Sequence, residues 1–520
     1  MRIGVDVGGT STDAVLMAGG EVLAGVKAPT SPDVTGGVVE ALALLRGVHR
    51  FDPGAVQAVV IGTTHFMNAF VEGRDLTRTA VIRLGLPATS GLPPLLDWPE
   101  RLRARIDGGT YLCHGGHDFD GRPIGDLDEE EIAGVADDIA RRGTEAAAIS
   151  SVFSFADASM ERRVAGILTS RLPYLKVSLS SEIGRIGLLE RENATTINAS
   201  LSGLAGRIAD ALGAALASAG LRAPLYVTQN NGTLMDVEPA RRYPVATFAS
   251  GPTNSLRGAA FLSGLTDCVV MDVGGTTTDV GVLAGGFPQE APAEVTVAGI
   301  PTNFRMPRLL CHEIGGGTIV TPPRRPDGEP AVGPGNVGDA LTRRSVVYGG
   351  PDLTLTDLGV AAGRLRLGDP ARLAEMPFAA ATLDTVAARL LGSVHRLRVT
   401  PAMPPVVLVG GGAALLGDPG TDDVRVVRPP HHTIANAIGA ATAEPGGEVE
   451  RIFPLAAGGR DEVLERARSE ATTRAVAAGA VPASVRVVSV EEAPIVYLPG
   501  SATWVRVRTL GALARDGERA

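Results

Sequence analysis

RIGVDVGGTSTD, from Arg2 to Asp13, is an apolar run, an aspartate, a Gly-Gly-Thr turn, hydroxyl residues and a second aspartate. A near copy, CVVMDVGGTTTD, runs from Cys268 to Asp279. Each is followed by another apolar stretch, 14–17 and 280–283, so each reads as strand, tight turn, strand. The glycine pairs Gly8-Gly9 and Gly274-Gly275 let the backbone approach a ligand and take positive φ without a Cβ clash. Turn N–H groups and the hydroxyls of Thr10, Thr12, Thr276 and Thr277 can hold phosphate oxygens. The carboxylates Asp6, Asp13, Asp272 and Asp279 can hold Mg2+, usually through water. One copy also fits an ordinary hairpin; two matching copies point to a duplicated fold gripping a nucleotide between its halves.

The chain has 520 residues, 44% of them apolar and 20% charged, enough for several domains and a large core. A net charge of −9 argues against nucleic acid or an anionic membrane as partner. Lysine occurs only at Lys27 and Lys176, so arginine carries nearly all the positive charge. Three irregularly spaced cysteines, Cys113, Cys268 and Cys311, argue against a disulfide framework and suit a reducing cytoplasm. A strand starting at Arg2 leaves no room for a signal peptide, and no apolar run reaches the ~18 residues of a membrane span.

After a three-strand meander over 2–27, helical spacing covers 32–47, and a buried strand at 58–61 ends in Gly62-Thr63-Thr64 before a helix carrying His65, Asn68 and Glu72. Strands at 80–84 and 146–155 flank a Pro/Leu-rich loop at 87–99, a Gly-rich stretch at 107–125 and a helix at 127–142. Further helices cover 159–171 and 188–219, the second as one long element. The pattern then restarts, with a strand at 225–228, a helix within 248–262, the second hairpin, a Pro/Gly/Arg-rich insert at 318–350, a helix at 378–397, a strand at 406–409 ending in Gly410-Gly411-Gly412, and a helix at 433–442. Beyond 445, an amphipathic helix and short alternating strands read as a small α/β appendage. The expected division is 1–219, 220–445 and 446–520.

No G-x-x-x-x-G-K-[ST] loop and no Rossmann fingerprint is present, so phosphate binding rests on turn amides, hydroxyls and carboxylates. The two hairpins and the turn at 410–412 resemble the phosphate and adenosine motifs of the actin/Hsp70/sugar-kinase ATPase superfamily. More closely, over about residues 1–510, the chain resembles the hydantoinase A/5-oxoprolinase family. The segments carrying the resemblance, in order, are GVDVGGTSTDAVL, GTTHFMNAFVEGR, LLERENATTINASL, YVTQNNGTLM, ATFASGPTNSLRGAA, MDVGGTTTDVGVL, VAGIPTNFRMPRLLCHEIGGGTIV, VGPGNVGD and PPHHTIANAIGAA. The chain departs from the family at Asn230-Asn231-Gly232-Thr233, at the short Gly315-Gly316-Gly317 run and at the reduced segment 335–339. These departures bear on substrate more than on the ATPase core.

The resemblance implies an α/β fold of two duplicated RNase H-like (actin/Hsp70-type) domains around a nucleotide cleft. It implies ATP and Mg2+ as cofactors, a small cyclic amide as substrate and a hydantoinase B-type subunit as partner, with homo-oligomerisation left open. Phosphorylating a lactam or hydantoin carbonyl oxygen breaks amide resonance and creates a leaving group, so that water can open the ring. Asp6 and Asp272 would orient the metal, with Asp13 and Asp279 holding the turns or its water shell. The competing reading of each aspartate is a carboxylate accepting turn N–H bonds. Gly410, Gly411 and Gly412 would pack on adenosine, and Thr63, Thr64 and Asn68 would lie near the transferred phosphoryl group. Rival activities are the ATP-using subunit of a ketone carboxylase, a non-catalytic nucleotide-dependent activator and a sugar kinase. Cys113, His114, His117 and Asp118, in the Gly-rich stretch that also holds Asp120, form either a transition-metal site or a polar surface loop, and His312 in Cys311-His312-Glu313 either joins them or reaches the substrate. His431-His432 reads as flanking the last helix, and Glu190-Arg191-Glu192 as either cleft lining or an ion pair between helices.

Overall fold

The computed structural model describes residues 1–30, 34–119, 121–291, 294–323, 325, 328–397, 404–417, 424–454, 459–495 and 502–514. Both DVGGT segments form the hairpins their sequence dictates. Arg2–Val7 pairs antiparallel with Ser11–Ala18, Asp6 opposite Asp13. Ser11–Ala18 pairs antiparallel with Glu21–Pro29, Asp13 opposite Lys27. On the other side Arg2–Val7 runs parallel to Ala58–Thr63, which runs parallel to Leu225–Thr228. In the second sheet Cys268–Val273 pairs with Thr278–Ala284, Asp272 opposite Asp279, and lies parallel to Val406–Val409 and, beyond it, Val426–Val427. Phe287–Pro288 and Leu309–His312 both pair with Thr278–Ala284. With Phe287–Pro288 and Leu309–His312 together counted as the third strand of the second half, the five positions around each hairpin run 3-2-1-4-5. The central strands are buried on both faces, so they read as continuous apolar runs rather than as alternation.

The sheets divide the chain differently from the expected boundaries. Leu225–Thr228 and Thr233–Asp236 belong to the first sheet, so the division by sheet falls between Asp236 and Cys268, not after Ala219. Beyond Pro445 the chain is α/β, yet it is no separate appendage. Glu444–Pro454 pairs with Thr233–Asp236 and carries Ala502–Leu510 and Arg486–Pro494 with it, extending the first sheet to nine strands. The helix Arg460–Ala477 covers this extension through Val463, Leu464, Ala467 and Ala471. The join is a two-residue register, Thr233–Glu444 and Leu234–Pro445, too short to leave a pattern in the sequence.

Between the second and third parallel strands of the first sheet the chain builds a third layer. Asp107–His114, Thr79–Leu86, Ala146–Ser151 and Lys176–Leu179 form a four-stranded parallel sheet with its own core around Ile82, Leu84, Ile132 and Val164. The expected long helix at 188–219 is two helices, Leu188–Ser200 and Ser202–Ser218, broken where the carbonyl of Ser200 accepts the N–H of Thr77 at 2.7 Å. Glu192 on the first of these is buried against Arg83 of the inserted sheet at 2.6 Å. The charged triplet at 190–192 thus ties helix to strand.

Two helices cross between the sheets. Ser250–Ser263 follows strands of the first sheet but packs Leu256 and Ala259 against Val270, Leu283, Val407 and Val409 of the second. Ala435–Thr442 follows strands of the second sheet but packs Ala437, Ile438 and Ala441 against Val15 and Met17 of the first. They touch backbone to backbone: a Cβ on Gly258 would stand 1.8 Å from the carbonyl oxygen of Ala435, and one on Gly439 would stand 1.9 Å from that of Asn254. Overpacking at such a contact costs about 1–3 kcal/mol or more. Gly439→Ala is therefore expected to lower unfolding stability in a denaturant titration by at least about 2 kcal/mol; an unchanged midpoint would contradict this packing.

Candidate functional site

The hairpins place the four aspartates where the crossing helices can reach them. Asp6 accepts from Asn436 Nδ2 at 2.9 Å and from Asn254 Nδ2 at 3.4 Å. Asp272 accepts from Ser255 Oγ at 2.5 Å. Asp13 is paired with Lys27 Nζ at 2.5 Å and accepts from Ser11 Oγ at 3.1 Å. Asp279 accepts from the thiol of Cys311. Burial, then the neighbouring charge of Asp13, pushes Asp6 up to about 7. Burial also raises Asp272, and raises Asp279 to about 6 against the thiol hydrogen bond. Asn254 Oδ1, beside Asp6, is buried with no hydrogen-bond partner. Four closely set carboxylates against one ammonium, with an unused amide oxygen beside them, fit a hydrated divalent cation.

The turns of the two hairpins meet. Thr10 Oγ1 and Thr276 Oγ1 lie 3.2 Å apart, and their separation of 266 residues is the offset of the repeat itself. The same residue of each copy touches its twin, as across a local two-fold axis. The N–H of Gly8 closes its own turn on Ser11 O, and that of Gly274 does so on Thr277 O, leaving the tips at Gly9-Thr10 and Gly275-Thr276 to face one another. Gly315, Gly316 and Gly317 brace the second turn, with Gly316 N donating to Gly274 O at 3.0 Å and Gly317 N to Gly275 O at 2.7 Å. Gly410 has φ of 91°, and a Cβ there would stand 2.2 Å from Asp272 Oδ1. Gly411 follows it in the turn, and Gly412 N donates to Val273 O at 2.7 Å. This glycine turn therefore lies directly on the second aspartate.

The remaining predicted residues divide. Thr64 stands just before the helix His65–Glu72 without a side-chain capping bond and lies with Asp6 around Gly251 at the start of the Ser250–Ser263 helix, while Asn68 is exposed one turn further on. Thr63 is fastened to the same helix start through Ser250 Oγ. Thr12 is not at the turn. Strand alternation turns it away from Asp13, and its hydroxyl is fully buried against Gly37. Its counterpart in the repeat is Thr278, which donates to Ile314 O at 2.7 Å, whereas Thr277 corresponds to Ser11. Asn254, Ser255, Asn436 and Lys27 were not singled out from the sequence as site residues. Their signals were polar residues inside the helical segments SGPTNS (250–255) and ANAIG (435–439), and one of only two lysines.

Models of two regions of one family match this chain: the hydantoinase/oxoprolinase N-terminal region over residues 2–172, and hydantoinase/oxoprolinase over residues 191–390. The chain belongs to the hydantoinase/oxoprolinase family. It is 28% identical to the caprolactamase subunit alpha of Pseudomonas jessenii over 432 residues, 76% of this chain and 60% of that protein. It is 26% identical to the acetophenone carboxylase gamma subunit of Aromatoleum aromaticum over 399 residues, 69% of this chain and 53% of that one. The chain thus spans little more than half the length of these relatives. The fold is that of the ATP-dependent caprolactamase from Pseudomonas jessenii (TM-score 0.76, 19% identity, covering 99% of this chain and 88% of that one) and of a nucleotide-free acetone carboxylase (TM-score 0.72, 16% identity, the same coverage).

The histidines of this family member do not assemble. His114 approaches Glu131 at 3.3 Å, and His117 is buried 3.8 Å from Asp157, both on the inserted layer. His312 is on the second sheet, its pKa lowered by burial and by Arg389 and Arg396. Burial pushes the Cys113 thiol up to about 12, and Asp120 lies outside the described residues. Among the described residues no three His, Cys, Asp or Glu side chains converge as direct metal ligands. None of the described helices is long and apolar enough to cross a membrane. Behind the start of the Ser250–Ser263 helix, a cavity of about 980 Å3 is lined by Asn230, Asn231, Tyr243, Phe304, Arg305 and Trp504, and thus includes one of the departures from the family pattern.

The raised aspartates set a pH dependence. An acid whose folded pKa exceeds its unfolded one favours folding below the unfolded value and loses that advantage as pH rises through the folded value. The stability gap between Asp6→Asn and the parent protein is therefore expected to widen in favour of the variant between about pH 5 and about pH 8. Thermal midpoints of the ligand-free proteins measure this. A pH-independent gap would contradict the burial of an ionisable Asp6.

Proposed function

We propose that this chain is the ATP-using subunit of an amidohydrolase that opens a lactam, hydantoin or similar small cyclic amide. The meeting of the two Gly-Gly-Thr turns at Thr10 and Thr276, backed by Asp6 and Asp272, carries the reading. The proposal takes the two 3-2-1-4-5 sheets as duplicated RNase H-like halves of an actin/Hsp70-type fold. In it the tip amides and the hydroxyls of Thr10, Thr276 and Thr277 orient the β- and γ-phosphates, the turn at 410–412 backs the adenosine, and Thr64 lies toward the transferred group. Asp6 and Asp272, with Asp13 and Asp279 beside them, would hold Mg2+ through water, and the metal would supply charge to neutralise the phosphates. Phosphoryl transfer asks a protein mainly for positioning and charge stabilisation, which this arrangement can supply.

The bonds balance as lactam, ATP and two waters giving the ring-opened amino acid, ADP and phosphate. The carbonyl oxygen takes the γ-phosphoryl group of ATP and ADP leaves; one water adds to the carbon and the ring nitrogen departs with a proton, leaving an acyl phosphate, from which a second water displaces phosphate. A partner of the hydantoinase B type would perform the hydrolytic half. The likeness to caprolactamase supports the cyclic amide. The likeness to the acetone and acetophenone carboxylase chains supports a second reading, in which a ketone is activated for carboxylation.

A coupled ADP-release screen over lactams, hydantoins and imides, and over ketones with bicarbonate, with and without a B-type subunit, separates these readings. Stimulation by a cyclic amide is expected, with Asp272→Ala lowering kcat/KM by at least about 100-fold. Stimulation by ketones alone would replace the first reading by the second. Full activity of Asp272→Ala would remove the metal assignment.

A further inference from the structure

The two hairpins share a backbone but differ in what faces the second aspartate. In the first half the third strand sets Lys27 opposite Asp13. In the second half the strand Leu309–His312 sets Cys311 opposite Asp279 in the same antiparallel register. Lys27 and Cys311 are therefore counterparts across the repeat. Lys27 is charged and neutralises its aspartate. Cys311 carries an exposed thiol in place of an ammonium, and partial desolvation with the charge of Asp279 raises its pKa and keeps it neutral.

Lys27 does more than pair with Asp13. Its Cε lies 3.7 Å from where a Cβ on Gly411 would stand, so the side chain crosses from the first half to the glycine turn of the second. Its charge is felt by Asp272, whose ionised form it favours. The side chain is 36% exposed, and the ammonium has three donors, of which Asp13 uses one. The chain's other lysine, Lys176, is on the inserted layer, donating to Ser202 O. The lysine missing from any Walker-type loop thus reaches the same cleft from the third strand of the first sheet.

We propose that Lys27 contacts the phosphates of a nucleotide seated between the two turns. Asp13 holds its ammonium in place, and Cys311 leaves the matching position of the second half uncharged. This rests on the nucleotide reading given above.

The alternative role, mere neutralisation of Asp13, is separated by a double variant. Calorimetric titration of the full chain with Mg-ADP and Mg-ATP compares the parent, Lys27→Met, Lys27→Arg and the pair Lys27→Met with Asp13→Asn. Losing a charge-assisted phosphate contact is expected to weaken ADP binding about tenfold to a hundredfold in Lys27→Met. The double variant, which leaves no orphaned carboxylate, should recover its thermal midpoint but stay as weak in ADP binding. Lys27→Arg should recover part of the affinity. Parental ADP affinity in the double variant would overturn the proposal while leaving the nucleotide reading intact. Absence of ADP and ATP binding by the parent protein would overturn both.

Discussion

Everything at the candidate site depends on one backbone contact, the crossing of the helices Ser250–Ser263 and Ala435–Thr442 at Gly258 and Gly439. Side chains at these two positions would occupy the space of the facing carbonyls of Ala435 and Asn254. With glycine there, Asn254 and Asn436 both reach Asp6, while Ser255, the next residue along, reaches Asp272. Each helix leaves one sheet and packs on the other, so the two sheets cannot shift without moving the donors that hold the opposite aspartate. The hairpins place the carboxylates, and packing at the crossing places the donors that hold Asp6 and Asp272.

Electrostatics then define what the cleft can accept. Burying carboxylates near one another is unfavourable unless a cation or a proton compensates, and Asp6 at about 7 reflects that cost. One ammonium, from Lys27, offsets part of it on one side only. An anion alone would worsen the balance. A polyphosphate arriving with a divalent cation brings both the positive charge that the carboxylates lack and oxygens for the turn donors. The metal–nucleotide complex proposed above would suit this charge balance better than either component alone.

Much of this was legible in the sequence because it is local. A strand, a Gly-Gly-Thr turn and a strand are written within twelve residues, and the match between residues 2–13 and 268–279 marks two like hairpins; that their turns touch is seen only in the structure. What sequence reading lost was long-range or directional. Thr12 looked like a hydroxyl of the turn, but strand alternation buries it against Gly37. The C-terminal strands looked like an appendage because a two-residue register with Thr233 and Leu234 leaves no periodic trace. Asn254, Ser255 and Asn436 reach the aspartates only through the helix crossing. The histidines failed as a group because closeness in sequence around 113–117 says nothing of distance to His312.

If both Gly-Gly-Thr turns grip a single nucleotide, amide hydrogen exchange read by mass spectrometry, with and without a non-hydrolysable Mg-ATP analogue, will register both at once. Slowed exchange is expected in peptides covering residues 8–12 and 274–278 together. Protection of one turn alone, or of neither at a saturating analogue concentration, would contradict it.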